Sequence, residues 1–203
     1  LAPCGNDTSE ARVNINTQPD AGVSGLAKVV CENDNTAIDL FSLINGEQTG
    51  GTWVRSSGTG GVFDAATARY TPAAGATNST FTYTIIGTPP CVDSSSLATI
   101  DINAQPNAGV DGAVAICDSS TTTIDLFSLI TAEQSGGVWT RTGGTGGNFN
   151  GALGTFTPAV GATTSTFVYT LSGILPCTDD TSVVTVNISA QPNAGLDGAT
   201  SIC

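Results

Sequence analysis

Six cysteines are the residues whose chemistry and spacing say most about this chain. They stand at Cys4, Cys31, Cys91, Cys117, Cys177 and Cys203, and no two of them form a Cys-x-x-Cys pair. Structural zinc sites normally take thiolate ligands from closely spaced pairs. The spacing therefore favours disulfides formed in an oxidising compartment, and we expect an extracellular protein.

The composition of the chain argues against an enzyme. The 203 residues include no His, so neither a Ser-His-Asp triad nor a His-ligated zinc can be built. Asp39 and Asp125 recur singly on a predicted strand, without the second facing carboxylate that glycoside hydrolysis needs. We expect no enzyme and no catalytic residue.

Two glycine-rich stretches, 57–61 and 143–147, invite comparison with phosphate-binding loops. Such a loop needs backbone amides at a helix N-terminus and usually a lysine. Here β-like sequence flanks both stretches, and Lys28 is the only lysine of the chain. The pattern therefore predicts hairpin turns.

The charge balance argues against nucleic acid as a partner, and the short apolar runs argue against insertion into a membrane. Seventeen acidic and five basic side chains give a net charge of −12, which leaves no basic patch for nucleic acid. No apolar run approaches the roughly 18 residues that span a bilayer, so we expect no membrane insertion.

An internal repeat organises the chain. Cys31, Trp53 and Cys91 each recur 86 residues later, and Cys117 recurs at Cys203. A period of that length is too long for a solenoid and suits one small β-sandwich. We predict the last strand of a preceding module over 1–18, modules over 19–105 and 106–191, and the start of a following module over 192–203.

Within a module, short strands alternate with turn residues. Clear period-2 alternation covers Thr80–Ile85 and Ala98–Ile102, as half-buried strands F and G require. The other main predicted elements are strand A at Ala27–Cys31, strand B at Thr36–Leu40, one helical turn at Phe41–Ile44 and strand C at Thr52–Arg55. The fold class is all-β: tandem seven-stranded Ig-like β-sandwich modules.

Aromatic side chains are assigned to the two cores. A tryptophan could stack on a sugar ring, but one tryptophan per module on strand C more often fills a sandwich core. The predicted core aromatics are Trp53, Phe81, Tyr83, Trp139, Phe167 and Tyr169.

Five motifs together point to a family. They are Ile38–Ile44, Gly50–Trp53, Phe81–Thr84, Pro90-Cys91 and Gln105–Gly109. In combination they resemble the tandem Ig-like repeats of giant Bacteroidota surface adhesins, which are gliding-motility-associated substrates of type 9 secretion. The resemblance implies a long array between a ligand-engaging region and a C-terminal export or anchoring domain, at the bacterial cell surface.

Residues between the modules are candidate ligands for one cofactor, calcium. Asn107, Asp111 and Asp118 carry the hard oxygen ligands that Ca²⁺ takes. A shell of six to eight oxygens is not visible, and turn chemistry also explains these residues. We expect no cofactor, with calcium at this junction as the alternative.

The cysteine pairing has two candidate patterns. Pairing within modules would join Cys31 to Cys91 and Cys117 to Cys177. In an Ig topology these cysteines lie at opposite poles, about 15 to 25 Å apart, whereas a disulfide needs Cα atoms about 4.4 to 6.8 Å apart. Head-to-tail stacking of modules would instead bring Cys31 to Cys177. Strand ends read from a sequence shift by a few residues, so both patterns stay open.

The function expected from these features is mechanical. The chain is interpreted as a stalk or filament segment that extends a binding region away from the cell, with neighbouring modules of the same chain as its partners. Two alternatives remain: a module that binds carbohydrate, such as a surface polysaccharide, or another cell, and a self-assembling surface fibre made with other copies of the chain.

Overall fold

The computed structural model describes residues 3–192, 195 and 197–203. Leu1 and Ala2 of the predicted preceding strand, and Asn193, Ala194 and Leu196 of the predicted following module, lie outside the described residues. The chain forms two compact units, Leu1–Ile102 and Asn103–Cys203.

Unit 1 is a sandwich of a four-stranded and a three-stranded sheet. Its strands are β1 (Val23–Ser24), β2 (Lys28–Cys31), β3 (Ile38–Asp39), β4 (Ile44–Asn45), β5 (Thr52–Ser57), β6 (Val62–Asp64), β7 (Arg69–Thr71), β8 (Ser79–Ile85) and β9 (Ser94–Asn103). The larger sheet has the order β2-β9-β8-β5, and the smaller has the order β3-β7-β6. The short strands β1 and β4 pair separately, and a 3-10 helix covers Leu40–Leu43.

Unit 2 repeats this plan. Its strands are β10 (Gly112–Cys117), β11 (Ile124–Asp125), β12 (Val138–Gly143), β13 (Asn148–Asn150), β14 (Thr155–Thr157), β15 (Ser165–Leu171) and β16 (Asp180–Ser189). The sheets have the orders β10-β16-β15-β12 and β11-β14-β13, and a 3-10 helix covers Phe127–Leu129. The all-β sandwich predicted from the repeat is therefore confirmed.

In unit 2, strand A is β10 and strand G is β16. The two strands run parallel, a pairing that the sequence pattern did not predict. In the register of β10 with β16, Gly112 lies opposite Val184 and Cys117 lies opposite Ser189. Strand A thus ends where strand G ends. The loop between strands F and G, residues 172–179, precedes strand G and lies at its other end.

The core of each unit is built around an aromatic cluster. In unit 1 the rings of Trp53 and Tyr83 lie 5.1 Å apart, and Phe41 packs edge-on against both. Unit 2 repeats the arrangement with a separation of 5.2 Å between Trp139 and Tyr169. The structure buries all six aromatics assigned to the cores, Trp53, Phe81, Tyr83, Trp139, Phe167 and Tyr169. Each such ring removes about 150 to 250 Å² from water, so these clusters dominate the stability of the units.

Strand B is shorter than predicted, because the chain turns into the 3-10 helix at Leu40. The carboxylate of Asp39 accepts a hydrogen bond from the backbone N–H of Phe41, and Asp125 does the same for Phe127. A side-chain acceptor at this position satisfies an amide that the short helix leaves free. Asp39 is therefore the N-cap of its 3-10 helix, whereas Asp125 makes the same bond one residue before Leu126, the N-cap of the shorter helix in unit 2.

Candidate functional site

Two segments that precede the first strands of the units make a set of polar contacts that recurs in both units. We call residues 16–22 and 103–109 the lead-in segments, and residues 86–93 and 172–179 the F–G loops. Each lead-in segment contains a Gln-Pro-Asx-Ala-Gly motif. Each lies against the F–G loop of its own unit.

In unit 1, two side-chain amides of the lead-in segment bind the F–G loop. Asn16 Nδ2 donates to the carbonyl oxygen of Pro89 at 2.8 Å, and Gln18 Nε2 donates to the carbonyl oxygen of Val92 at 2.9 Å. Both bonds join residues more than 70 positions apart, so they fix the segment to the folded unit.

Unit 2 repeats both contacts one period later. Asn103 Nδ2 donates to the carbonyl oxygen of Leu175 at 2.8 Å, and Gln105 Nε2 donates to that of Thr178 at 3.0 Å. The F–G loop sequences differ between the units, but backbone carbonyls are present whatever the side chains. Recognition through carbonyls therefore survives the sequence variation of the loops.

The Asx residue of each motif shapes the turn that follows. Asp20 Oδ1 accepts from the N–H of Gly22 at 2.9 Å, and Asn107 Oδ1 accepts from the N–H of Gly109 at the same distance. Gly22 has a φ of +80°, and a Cβ there would lie 2.7 Å from the carbonyl oxygen of Asn45. Glycine is required at this position both by its backbone conformation and by its close neighbour.

A third contact ties the same Asx residue to the loop before strand C. In unit 2, Asn107 N donates to Oε1 of Gln134 at 3.0 Å, and Gln134 N donates to the carbonyl oxygen of Asn107 at 2.9 Å. The carbonyl of Gln134 in turn accepts from the hydroxyl of Tyr169 at 2.8 Å. The lead-in segment is thus linked directly to the aromatic core.

The three calcium candidates make separate hydrogen bonds and do not form one cluster. Asn107 makes the turn just described, Asp111 Oδ1 accepts from the N–H of Val183, and Asp118 Oδ1 accepts from the N–H of Gln191. Asp111 and Asp118 flank the six-residue strand β10, so they are about 20 Å apart and cannot share one ion. Among the described residues, no cluster of three or more His, Cys, Asp or Glu side chains could hold a metal.

The cysteines divide into bonded and free. Cys31 and Cys177 are disulfide-bonded, whereas Cys4, Cys91, Cys117 and Cys203 carry free thiols. Pairing within modules, Cys31 with Cys91 and Cys117 with Cys177, is therefore wrong. In unit 2 the reason is distance: Cys117 lies opposite the last residue of β16, and Cys177 precedes its first residue. A ten-residue strand separates them by about 30 Å.

Both F–G-loop cysteines lie beside a lead-in segment. Cys177 Sγ is 3.3 Å from the carbonyl oxygen of Asn103, and Cys91 Sγ is 3.5 Å from that of Asn16. We call the two side-chain amides that bind each F–G loop, Asn16 with Gln18 and Asn103 with Gln105, the amide clamp. The cysteine of each F–G loop thus lies beside the asparagine of its clamp.

The glycine-rich stretches are hairpin loops whose polar groups are engaged within the unit. In unit 1 the N–H of Thr59 donates to the hydroxyl of Thr77, and Arg55 Nη1 donates to the carbonyl oxygen of Gly60 at 2.6 Å. The Arg55 guanidinium also lies over the ring of Tyr70, 5.2 Å from its centroid. Such a cation–π contact stabilises a partly buried arginine, so this side chain holds the loop against the core.

Two carboxylates of unit 1 have shifted pKa values. Hydrogen bonds from the backbone N–H and the hydroxyl of Thr36 lower the pKa of Asp34, and those from the hydroxyl and N–H of Thr67 lower the pKa of Asp64. Hydrogen bonds to the charged form favour ionisation. The equivalent positions of unit 2 carry the neutral residues Ser120 and Asn150.

An open groove of about 470 Å³ lies beside the second lead-in segment. It is lined by residues 104–106 of that segment, by Gln134 and Ser135, and by residues 171–174. The side chains that line it are small, aliphatic or amide-bearing and include no aromatic ring.

No helix among the described residues is long and apolar enough to cross a membrane.

Comparisons with known proteins give distant likenesses only. No family model matches the chain, and a search of curated proteins finds no match. Among solved structures, the chain is similar to human protocadherin-24 EC1-2, with 12% identity, 88% of this chain and 100% of that chain covered, and a TM-score of 0.44. Drosophila N-cadherin EC1-4 shares 6% identity over 82% of this chain and 49% of that chain, with a TM-score of 0.36.

A third likeness is to an endo-fucoidan hydrolase of glycoside hydrolase family 107. It has 14% identity, covers 87% of this chain and 31% of that chain, and has a TM-score of 0.25. Likenesses of this size carry no argument about activity or partners.

Sequence reasoning missed the amide clamp. The motif Gln-Pro-Asx-Ala-Gly was visible as a repeated unit, but its polar residues were interpreted as turn formers or ion ligands. The signal that could have identified the clamp is the recurrence of Asn16 and Gln18 as Asn103 and Gln105. Two amides kept two residues apart before the motif in both units indicate a fixed contact, although Ser189 replaces the asparagine before the third copy of the motif.

Proposed function

We propose that this chain is a stalk segment of an extracellular adhesin, in which tandem Ig-like modules hold a binding region away from a bacterial surface. The observation that carries the proposal is the amide clamp. In both units the lead-in segment, where the chain enters the module, is bound to the F–G loop by the same two side-chain amides. A segment held in this way cannot act as a free hinge.

We propose that the disulfide joins Cys31 to Cys177 and so braces the junction of the two modules. Both residues are disulfide-bonded, and Cys177 Sγ lies beside the carbonyl of Asn103. Asn103 is the last residue of β9, and the neighbouring strand β2 ends at Cys31. A disulfide is also typical of extracellular proteins.

The carbohydrate-binding alternative has less support. Sugar recognition commonly uses an exposed aromatic face, whereas both tryptophans lie in the cores, 5% and 3% exposed. The resemblance to Bacteroidota adhesins supplies the bacterial surface, gliding motility and type 9 secretion as part of the proposal.

A pulling experiment on single molecules tests the stalk role. The full chain is held by its two ends and extended in the oxidised state, then again after reduction. Between Cys31 and Cys177 lie 146 residue steps, and the 56 residues outside this loop are free to extend. At about 3.5 Å per residue, the oxidised chain should lengthen by about 200 Å and the reduced chain by about 500 Å more.

A load-bearing braced segment requires the shorter extension in the oxidised state. Full extension of the oxidised chain at low force would contradict the stalk role. The Cys91→Ser variant is the matched control, because it removes a free F–G-loop cysteine and should leave both extensions unchanged.

A further inference from the structure

We propose that Cys91 and Cys117 are the two unfilled halves of further junctions of the same kind. Cys117 would bond the F–G-loop cysteine of a repeat that follows, and Cys91 the strand-A cysteine of a repeat that precedes. The partner is thus another Ig-like repeat with the same cysteine pattern. This inference rests on the proposed bond between Cys31 and Cys177.

The internal repeat supplies the first argument. Cys117 is the counterpart of Cys31, and Cys91 is the counterpart of Cys177, each one period away. Cys31 and Cys117 are the last residues of strand A in their units. Within each equivalent pair, one cysteine is disulfide-bonded and the other carries a free thiol.

The surroundings of Cys91 supply the second argument. Cys91 lies 3.5 Å from the carbonyl oxygen of Asn16, as bonded Cys177 lies 3.3 Å from that of Asn103. In each unit this asparagine also donates a hydrogen bond from its side-chain amide to a backbone carbonyl of the F–G loop. The free thiol of Cys91 therefore has the same backbone neighbour as the bonded sulfur of Cys177, although Cys91 is partly exposed and Cys177 is buried.

The surroundings of Cys117 complete the pattern. Cys117 is exposed and lies opposite Ser189, which occupies in unit 2 the position that Asn103 occupies one period earlier. Ser189 lacks the side-chain amide of Asn103, but an incoming F–G-loop cysteine that lies beside the backbone of Ser189 would still reach Cys117 at the end of strand A. Cys91 lies in an F–G loop and Cys117 at the end of strand A, which are opposite ends of a module. One free cysteine can therefore bond a preceding repeat and the other a following repeat.

Bond formation is an ordinary two-electron oxidation. The two thiols lose two protons and two electrons as the S–S bond forms, and a small-molecule disulfide such as oxidised glutathione is reduced to two thiols. Exchange proceeds through a mixed disulfide with the attacking thiolate. An exposed thiol such as Cys117 is accessible to this chemistry.

The test adds one repeat to the full chain. A second copy of residues 106–191 is inserted after Gln191, which preserves the Gln-Pro junction and adds a second Cys117 and a second Cys177. After equilibration in a glutathione redox buffer, cysteines outside protein disulfides are counted by alkylation and intact mass. Near-ultraviolet circular dichroism establishes that the added repeat is folded.

The count separates the outcomes. The unmodified chain has four free cysteines. If the added F–G-loop cysteine bonds the original Cys117, the extended chain also has four, although it contains two more cysteines. A folded extended chain with six free cysteines would overturn the inference.

Two variants of the extended chain identify the bond. Cys117→Ser in the original unit should raise the count from four to five, because it releases the added Cys177. Cys91→Ser should lower the count to three, because Cys91 is still free. A rise to five with Cys91→Ser would mean that Cys91 and Cys117 bond each other, and it would also overturn the inference. The stalk role is tested separately by the pulling experiment on the unextended chain.

Discussion

Gly61 in the hairpin loop after β5 allows a substitution test with a control inside the same unit. Its φ is +64°, and a Cβ added there would lie 2.5 Å from the hydroxyl of Tyr70 and 2.6 Å from the carbonyl oxygen of Thr71. Gly75 has a similar φ of +76°, but nothing lies within 4 Å of an added Cβ. Gly61→Ala therefore combines backbone strain with a collision, and Gly75→Ala has the strain alone.

The two costs can be estimated separately. A left-handed conformation costs an alanine about 1 to 2 kcal/mol. Forcing a methyl group into a packed site adds about 1 to 3 kcal/mol. We expect Gly75→Ala to lower the free energy of unfolding of unit 1 by about 1 to 2 kcal/mol, and Gly61→Ala to lower it by about 2 to 5 kcal/mol.

Urea denaturation followed by tryptophan fluorescence measures both effects. Each unit contains one buried tryptophan, Trp53 or Trp139, so only the part of the signal that reports unit 1 should shift. Gly147→Ala and Gly161→Ala repeat the comparison in unit 2, where the first Cβ would meet the ring of Phe156 and the second meets nothing. Equal losses from the crowded and the open glycines would refute the reasoning that the loop is packed against the core.

Two further predictions concern the core link and acid stability. Tyr169→Phe removes the hydroxyl that donates to Gln134 and accepts from the N–H of Gly137, so unit 2 should lose about 1 to 3 kcal/mol of stability in urea denaturation. An unchanged midpoint would argue against the link from core to lead-in segment. Because the pKa values of Asp34 and Asp64 are lowered in the folded state, they stabilise unit 1 above the ordinary aspartate pKa, and this contribution is lost as the pH falls through their folded values. Unit 1 should therefore lose more stability than unit 2 between pH 5 and about pH 2, and the opposite order would contradict the assignment.

The sequence predicted those features of the fold that arise from local periodicity. Alternation along Thr80–Ile85 identified strand F and its buried face, because every second side chain of a strand points to the same side. The 86-residue repeat identified the modules. Both signals are carried by neighbouring residues or by direct self-comparison.

Contacts between distant residues could not be obtained in the same way. The parallel register of β10 with β16 depends on two strands more than 60 residues apart. The amide clamp depends on side chains that bind backbone carbonyls, which have no sequence signature of their own. For the cysteines, the Ig topology correctly predicts that Cys117 and Cys177 lie at opposite ends of strand G, but predicted strand ends are too inexact to decide the pairing.

The central proposal is that a disulfide joins Cys31 to Cys177 and braces the junction between two modules whose lead-in segments are clamped. It is tested most directly by mapping the disulfides of the full chain, through proteolysis without reduction and mass spectrometry. The account predicts a peptide that joins Cys31 to Cys177, with Cys91 and Cys117 recovered as alkylated thiols. A peptide that joins Cys31 to Cys91 would contradict it, because the modules would then be stapled internally and free to move at their junction.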